Sequence, residues 1–141
     1  MFKPFCLAAL TVTLAGCAIG IDGSGQAPRA SAEVDRPMAA VLETAQAQAL
    51  QCLTGNSAYQ VKLLEPQTGL GSVVVRAPFT ENDMARVDVT ALSATRSKVD
   101  IVMWGRNSWD ASAVRAMKDA VTFGVTSCKA YMPMTAPPVA K

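Results

Sequence analysis

The 141-residue chain contains no histidine. This absence excludes Ser-His-Asp and Cys-His catalysis, because both need an imidazole as the base, and it removes the commonest metal ligand. The aspartates are scattered with no pair at a spacing that predicts a shared site, and no serine lies in a recognised catalytic motif. We therefore expect a protein that is not an enzyme and that needs no cofactor and no metal.

Aromatic residues, excess charge and long apolar runs are also scarce. Phe, Trp and Tyr make up 6% of the chain, and 13 basic residues stand against 11 acidic ones for a formal net charge of +2. A balance so close to neutral gives no electrostatic reason to bind nucleic acid. No run approaches the ~20 apolar residues that a spanning helix needs. The sequence therefore predicts neither a nucleic-acid partner nor a transmembrane helix.

The N-terminus carries a short apolar segment that ends at a cysteine. Lys3 supplies a positive charge, and residues 5–14 form an apolar stretch of signal-peptide length. The stretch ends in the sequence Leu14-Ala15-Gly16-Cys17. Two small residues directly before a cysteine are typical of a lipobox, where a bacterial signal peptidase cuts and the cysteine carries a diacylglyceryl group. We predict a signal peptide over residues 1–16 and lipidation of Cys17.

The residues that follow divide into a tether, a folded domain and a tail. Residues 17–36 are rich in Gly, Ser, Ala and Pro without apolar periodicity, which predicts a lipidated flexible tether. A helix is predicted from Pro37, with Asp35 or Arg36 at its cap, to Gly55-Asn56. A second helix is predicted from an N-cap at Ser108 through an apolar stripe that reaches Cys128. The predicted domain covers residues 37–131, and residues 132–141 are predicted to be a disordered tail.

Four strands are predicted between the two helices. Apolar and polar residues alternate around residues 59–63, 85–91 and 98–103, and residues 71–76 centre on three valines. The separators are short enough for hairpins. Both helices carry one apolar stripe, so we expect an α+β domain with two layers, a helix–four-stranded antiparallel sheet–helix unit with both helices on the same side. Asp88 and Asp100 are expected to form cross-strand ion pairs on the solvated face.

Two of the four cysteines remain for the folded domain, because Cys6 leaves with the signal peptide and Cys17 carries lipid. The cell envelope is oxidising, which favours a disulfide between Cys52 and Cys128. Two antiparallel helices, however, would place these cysteines at opposite ends of the sheet, and a disulfide needs Cα atoms within about 7 Å. Three outcomes stay open: the second helix ends early and the chain returns, one helix crosses the sheet obliquely, or the thiols stay reduced.

Both tryptophans lie at the junction of the last strand and the second helix. Alternation points Trp104 away from the core, with Arg106 beside it, and aromatic and Arg side chains are the types that anchor protein interfaces. Trp104, Arg106 and Trp109 are therefore the candidate partner-contact residues. The alternative is structural, with Trp109 covering the start of the helix and Trp104 capping the edge of the sheet.

The lipobox Leu14-Ala15-Gly16-Cys17, the tether and the compact domain with two cysteines in its helices resemble small proteobacterial lipoproteins of uncharacterised role. This resemblance implies a membrane anchor through the N-terminal lipid. Ala18, where enteric lipoproteins retained in the inner membrane have aspartate, implies the periplasmic face of the outer membrane. The expected role is a non-catalytic module that binds another envelope protein or is structural. The alternative is a small-ligand or lipid-binding module that uses space between the helices and the sheet.

Overall fold

The computed structural model describes residues 19–22, 25–55 and 59–129, without the side chains of residues 65–67. The predicted lipobox, Cys17 and the predicted tail lie outside these residues. The described elements are, in chain order, β1 (Arg29–Val34), α1 (Met38–Cys52), β2 (Gln60–Gln67), β3 (Leu70–Arg76), β4 (Asp83–Ala91), β5 (Ser97–Met103), a short 3₁₀ turn (Asn107–Trp109) and α2 (Ala111–Phe123).

The sheet is antiparallel throughout, with its strands in the order β1-β5-β4-β3-β2. The α+β class and the hairpin connections from β2 to β5 are confirmed. The count of four strands is wrong, because β1 pairs with β5 over its whole length, from Arg29 opposite Val102 to Val34 opposite Ser97. The prediction of a flexible tether as far as residue 36 is therefore also wrong over Arg29–Val34. Its inward residues are mostly alanine, so their alternation with polar residues was too weak to indicate a strand.

Both helices pack on one face of the sheet and bury a continuous apolar layer, as predicted. α1 contacts β2, β3 and β4, whereas α2 contacts β1 and β5. The layer between them is closely packed, and its fully buried side chains include Val41, Ala45, Val73, Val87, Val99, Met103, Met117 and Val121. These buried side chains occupy the layer between the helices and the sheet in which the sequence analysis expected ligand space.

The opposite face of the sheet is polar, but its charges pair differently from the prediction. Arg86 binds Asp88 at 2.9 Å and Lys98 binds Asp100 at 3.0 Å, in both cases along a single strand. The expectation of cross-strand ion pairs is wrong. Residues two apart on a strand share a face, so each basic side chain reaches the carboxylate on its own strand, and the residue directly opposite Asp88 is Asp100, another carboxylate.

A serine hydroxyl also donates a hydrogen bond to each of these carboxylates: Ser72 donates to Asp88, and Ser31 donates to Asp100. The Ser31 hydrogen bond, then that of Lys98, lowers the pKa of Asp100.

The second helix is shorter than predicted at both ends. Its N-cap is Asp110, whose carboxylate accepts the N–H groups of Ser112 and Ala113, while Ser108 lies in the preceding 3₁₀ turn. The helix ends at Gly124, which adopts a left-handed conformation with φ of 75°. Cys128 therefore lies beyond the helix rather than on its apolar stripe.

This early end brings the two cysteines together. After Gly124 the chain returns along α1, where the buried amide of Gln48 donates to the carbonyl of Ser127 at 2.7 Å and accepts its N–H at 2.9 Å. Cys52 and Cys128 are joined in a disulfide with their Cα atoms 5.2 Å apart. Of the three outcomes that the sequence left open, the structure has the first.

Candidate functional site

The candidate partner-contact residues lie in a short loop that links β5 to α2. Backbone hydrogen bonds hold this loop: Trp104 donates to the carbonyl of Met84 at 2.9 Å, and Gly105 donates to the carbonyl of Trp109 at 2.8 Å. Gly105 has a φ of 92°, and a Cβ there would lie 3.0 Å from Cδ of Pro28. The loop therefore needs glycine at position 105. The two backbone hydrogen bonds fix the main chain at Trp104 and Trp109.

The structure gives the three predicted residues different roles. Trp109 is only 4% exposed and belongs to the core, with its ring 4.8 Å from that of Tyr59. Trp104 is half-buried, and its ring lies 6.1 Å from that of Trp109, so it packs against the core instead of pointing away from it. The prediction that Trp109 is available to a partner is wrong, because the ring turns inward ahead of α2.

Arg106 completes the exposed part of the site. Its guanidinium carbon lies 5.6 Å from the centre of the Trp104 ring, within the range of a cation–π interaction. The side chain is exposed. The surface available to a partner is therefore the outer part of Trp104 with Arg106 above it, supported from beneath by Trp109.

A small depression lies beside this aromatic cluster. Its volume is about 190 Å³, and its lining includes Thr54, Tyr59, Ser108 and Trp109. The indole Nε1 of Trp109 is buried and has no hydrogen-bond partner among the described residues. A buried donor without a partner is unusual, and this one belongs to a residue that lines the depression.

The ionisable groups near the loop, Asp110 and the Asp83–Arg76 pair, stabilise the fold. The backbone N–H of Ala113, followed by the hydrogen bonds from Ser112, lowers the pKa of Asp110. At the adjoining end of β3, Asp83 binds Arg76 at 2.8 Å and raises its pKa. Within the described part of the chain, no three Cys, Asp or Glu side chains are placed to hold a metal ion. These carboxylates cap a helix and bind a guanidinium.

The structure also shows a feature that sequence analysis missed. Ile21, within the predicted tether, donates its N–H to the carbonyl of Asp83 at 2.8 Å, and Gly20 lies against Asn82. In the same β3–β4 loop, Phe79 is fully exposed and has a φ of 63°. The residue pattern carries no signal for the contact of Gly20 and Ile21 with this loop, because it predicts only that residues 77–83 connect two strands.

None of the helices in residues 19–22, 25–55 and 59–129 combines the length and the apolar character that crossing a membrane requires. The predicted lipidation site, Cys17, lies two residues before this part of the chain.

No protein-family model and no curated protein sequence matches the chain. Among solved structures, it is similar to the crystal structure of the ZhuI aromatase/cyclase from Streptomyces sp. R1128. The two are 13% identical, the match covers 68% of this chain and 83% of the other, and the TM-score is 0.25. A likeness this weak supports no inference about activity or substrate.

Proposed function

We propose that the chain is an envelope lipoprotein, anchored through a diacylglyceryl group on Cys17 to the periplasmic leaflet of the outer membrane, whose domain binds another envelope protein without catalysis. The observation that carries this proposal is the lipobox Leu14-Ala15-Gly16-Cys17, directly ahead of a folded domain. The pairing of Cys52 with Cys128 supports it, since disulfides persist in oxidising compartments. Ala18 in place of aspartate supports the outer membrane.

The partner surface in this proposal is the Trp104–Arg106 pair. Aromatic and Arg side chains dominate the binding energy of protein interfaces. Trp104 is held between Arg106 and Trp109 before any partner arrives, so binding would order little that is not already ordered. Met84 accepts the Trp104 N–H, and its neighbour Asp83 accepts the Ile21 N–H. The partner surface therefore lies at the end of the sheet nearest the anchor, where a membrane-embedded partner could reach it.

Photocrosslinking in intact cells tests the partner surface. A photoreactive amino acid replaces Arg106 in one strain and Arg115, which is exposed on α2, in a control strain. We expect a discrete crosslinked product from position 106 and none from position 115. The substitutions Trp104→Ala and Arg106→Ala should reduce recovery of that partner in pull-downs at least tenfold. No product at position 106, or equal products at both positions, would contradict a partner at this surface.

A small-ligand module is the second candidate, and the unpartnered Nε1 of Trp109 favours it. The ligand would enter the depression beside Tyr59, because the layer between helices and sheet is closely packed. Titration with small carboxylates and phosphates, followed by the indole ¹H–¹⁵N resonances, tests this candidate. A saturable shift at Trp109 that exceeds the shift at Trp104 is expected. Unchanged resonances across the series would exclude acceptor ligands of this class.

A further inference from the structure

The β3–β4 loop holds Phe79 exposed to solvent in a strained backbone conformation, with a positive φ. Thr80 donates its N–H to the carbonyl of Ala77 at 3.4 Å, which closes a β-turn with Pro78 second and Phe79 third. Proline fixes the second residue at negative φ, so the positive φ of Phe79 makes this a type II turn, in which the third position favours glycine. Phe79 gains no burial in return, because its side chain is fully exposed.

The N-terminal chain meets this same loop. A Cβ at Gly20 would lie 2.9 Å from Cβ of Asn82 and 2.9 Å from the carbonyl oxygen of Asp83, so the backbone of residue 20 lies directly on the loop. The hydrogen bond from Ile21 to Asp83 holds it there. The N-terminal chain therefore joins the domain at the base of the turn that carries Phe79.

Chain length places the predicted lipid close to Phe79. Cys17 lies three residues before Gly20, and Phe79 lies three residues before Asn82. Three residues span at most about 11 Å, so the two spans and the contact between them keep Cys17 and Phe79 within roughly 25 Å of each other. If Cys17 carries its diacylglyceryl group, the membrane surface therefore lies within reach of the loop.

We propose that the β3–β4 loop docks on the lipid bilayer, with Phe79 inserted at the boundary between headgroups and acyl chains beside the lipidated Cys17. This inference rests on the proposed lipid anchor. The loop supplies a second, non-covalent contact, and two contacts fix the orientation of the domain where a lipid alone would leave it free to turn. Phe, Trp and Leu side chains of membrane-surface helices are buried at this same boundary.

The charges around Phe79 indicate an apolar contact. Lys62, Arg76 and Glu81 line the same shallow depression as Phe79, and Arg76 is bound to Glu81 at 3.0 Å and to Asp83 at 2.8 Å. Glu81 and Asp83 thus balance the charges of Arg76 and Lys62, although both bind Arg76. Docking should therefore change little with salt concentration and should not require anionic lipid.

The test uses the mature, acylated protein in vesicles of phosphatidylethanolamine and phosphatidylglycerol. A polarity-sensitive fluorescent amino acid replaces Phe79 in one sample and Leu92 in a control. Leu92 is 46% exposed and follows the opposite end of β4, roughly 30 Å along the strand. We expect blue-shifted emission at position 79, with at least threefold stronger quenching by lipids brominated in their acyl chains than at position 92. Quenching should persist in high salt and in vesicles of neutral lipid.

Mass spectrometry of the same samples separates the two proposals. If Cys17 is acylated and position 79 is as exposed as position 92, the docking proposal is overturned and the lipoprotein proposal stands. If Cys17 carries no lipid, both are overturned. Shielding of position 79 in native membranes but not in lipid vesicles would show that a protein covers Phe79, which also overturns bilayer docking.

Discussion

The backbone N–H of Ile21 donates a 2.8 Å hydrogen bond to the carbonyl oxygen of Asp83, at the first residue of β4. This bond connects the segment that follows the predicted lipidation site to one end of the sheet. An anchor at Cys17 would therefore hold a defined end of the domain at the membrane, whereas a long free tether would leave the orientation unspecified.

Phe79 should lower the free energy of unfolding of the isolated domain. Phe79→Gly removes the strain of a bulky residue at positive φ, and we expect it to raise the free energy of unfolding by about 1 kcal/mol. The same substitution should abolish shielding of the neighbouring loop by the bilayer. Urea denaturation in solution measures the first effect. A stability below that of the unmodified chain would show that the phenylalanine side chain contributes contacts within the fold.

Gln48 should be needed for the return of the chain after α2. Gln48→Ala removes both partly buried hydrogen bonds to the backbone of Ser127, so we expect a loss of about 2 kcal/mol in the free energy of unfolding. Gln51→Ala, at an exposed position one turn later in α1, is the control and should change it by less than about 0.5 kcal/mol. Urea denaturation compares the variants, and equal losses would contradict the assigned role of Gln48.

The disulfide should stabilise the domain mainly by restricting the unfolded chain. Cys52 and Cys128 are 76 residues apart, and closing a loop of that size contributes about 4 kcal/mol in the chain-entropy account. The double variant Cys52→Ala/Cys128→Ala should fold, since Gln48 still holds Ser127, but with a free energy of unfolding lower by about that amount. Urea titration of both proteins measures the difference. An unchanged midpoint would mean that the cysteines are not bonded in the folded protein.

Asp110 should make the free energy of unfolding depend on pH in the acidic range. The pKa of Asp110 is lower in the folded state than in the unfolded state. The carboxylate therefore contributes fully to the free energy of unfolding when the pH is above its unfolded-state pKa, and this contribution is lost as the pH falls through its folded-state pKa. Asp110→Asn retains the cap but cannot titrate, and it should flatten the decline in stability below about pH 4. Asp110→Ala should lose about 1 kcal/mol at neutral pH. Thermal unfolding between pH 2 and pH 7 distinguishes these variants, and identical pH profiles would refute this assignment.

Gly124 should tolerate substitution less well than another glycine of similar φ. Gly124 and Gly69 have φ of 75° and 77°, but a Cβ at Gly124 would lie 2.9 Å from a guanidinium nitrogen of Arg36, whereas Gly69 has open space. Arg36 is itself fixed by donating to the carbonyl of Val121 at 2.8 Å. Gly69→Ala should cost about 1 kcal/mol from backbone strain alone, and Gly124→Ala should cost more. Similar losses in urea denaturation would show that Arg36 moves aside freely.

The residue pattern predicted those parts of the fold that bury a strong apolar stripe. The alternation in β4 and β5 and the stripe of α1 placed three elements and the side of the sheet on which the helices pack. The strand Arg29–Val34 was not predicted, because its inward residues are mostly alanines and give a weak apolar alternation. The strand forms by pairing with β5, and this pairing leaves no local signal in the sequence. The end of α2 at Gly124 was missed because Val125 and Cys128 continue the apolar spacing although the chain has already turned.

For the candidate site, the residue types indicated the loop but not which side chains face solvent. Trp109 and Trp104 lie five residues apart, and the hydrogen bond from the Gly105 N–H to the Trp109 carbonyl, which shapes the loop between them, has no signal in the residue pattern. The contact between Ile21 and Asp83 depends on a pairing across 62 residues of sequence, for which no local pattern exists.

The most direct test of the proposed function is the intact mass of the protein extracted from the membranes of its native host. We expect a chain that begins at Cys17, carries a diacylglyceryl group on that thiol and has Cys52 and Cys128 two hydrogens lighter than the reduced pair. A chain that retains residues 1–16, with Cys17 unmodified, would contradict the lipoprotein proposal.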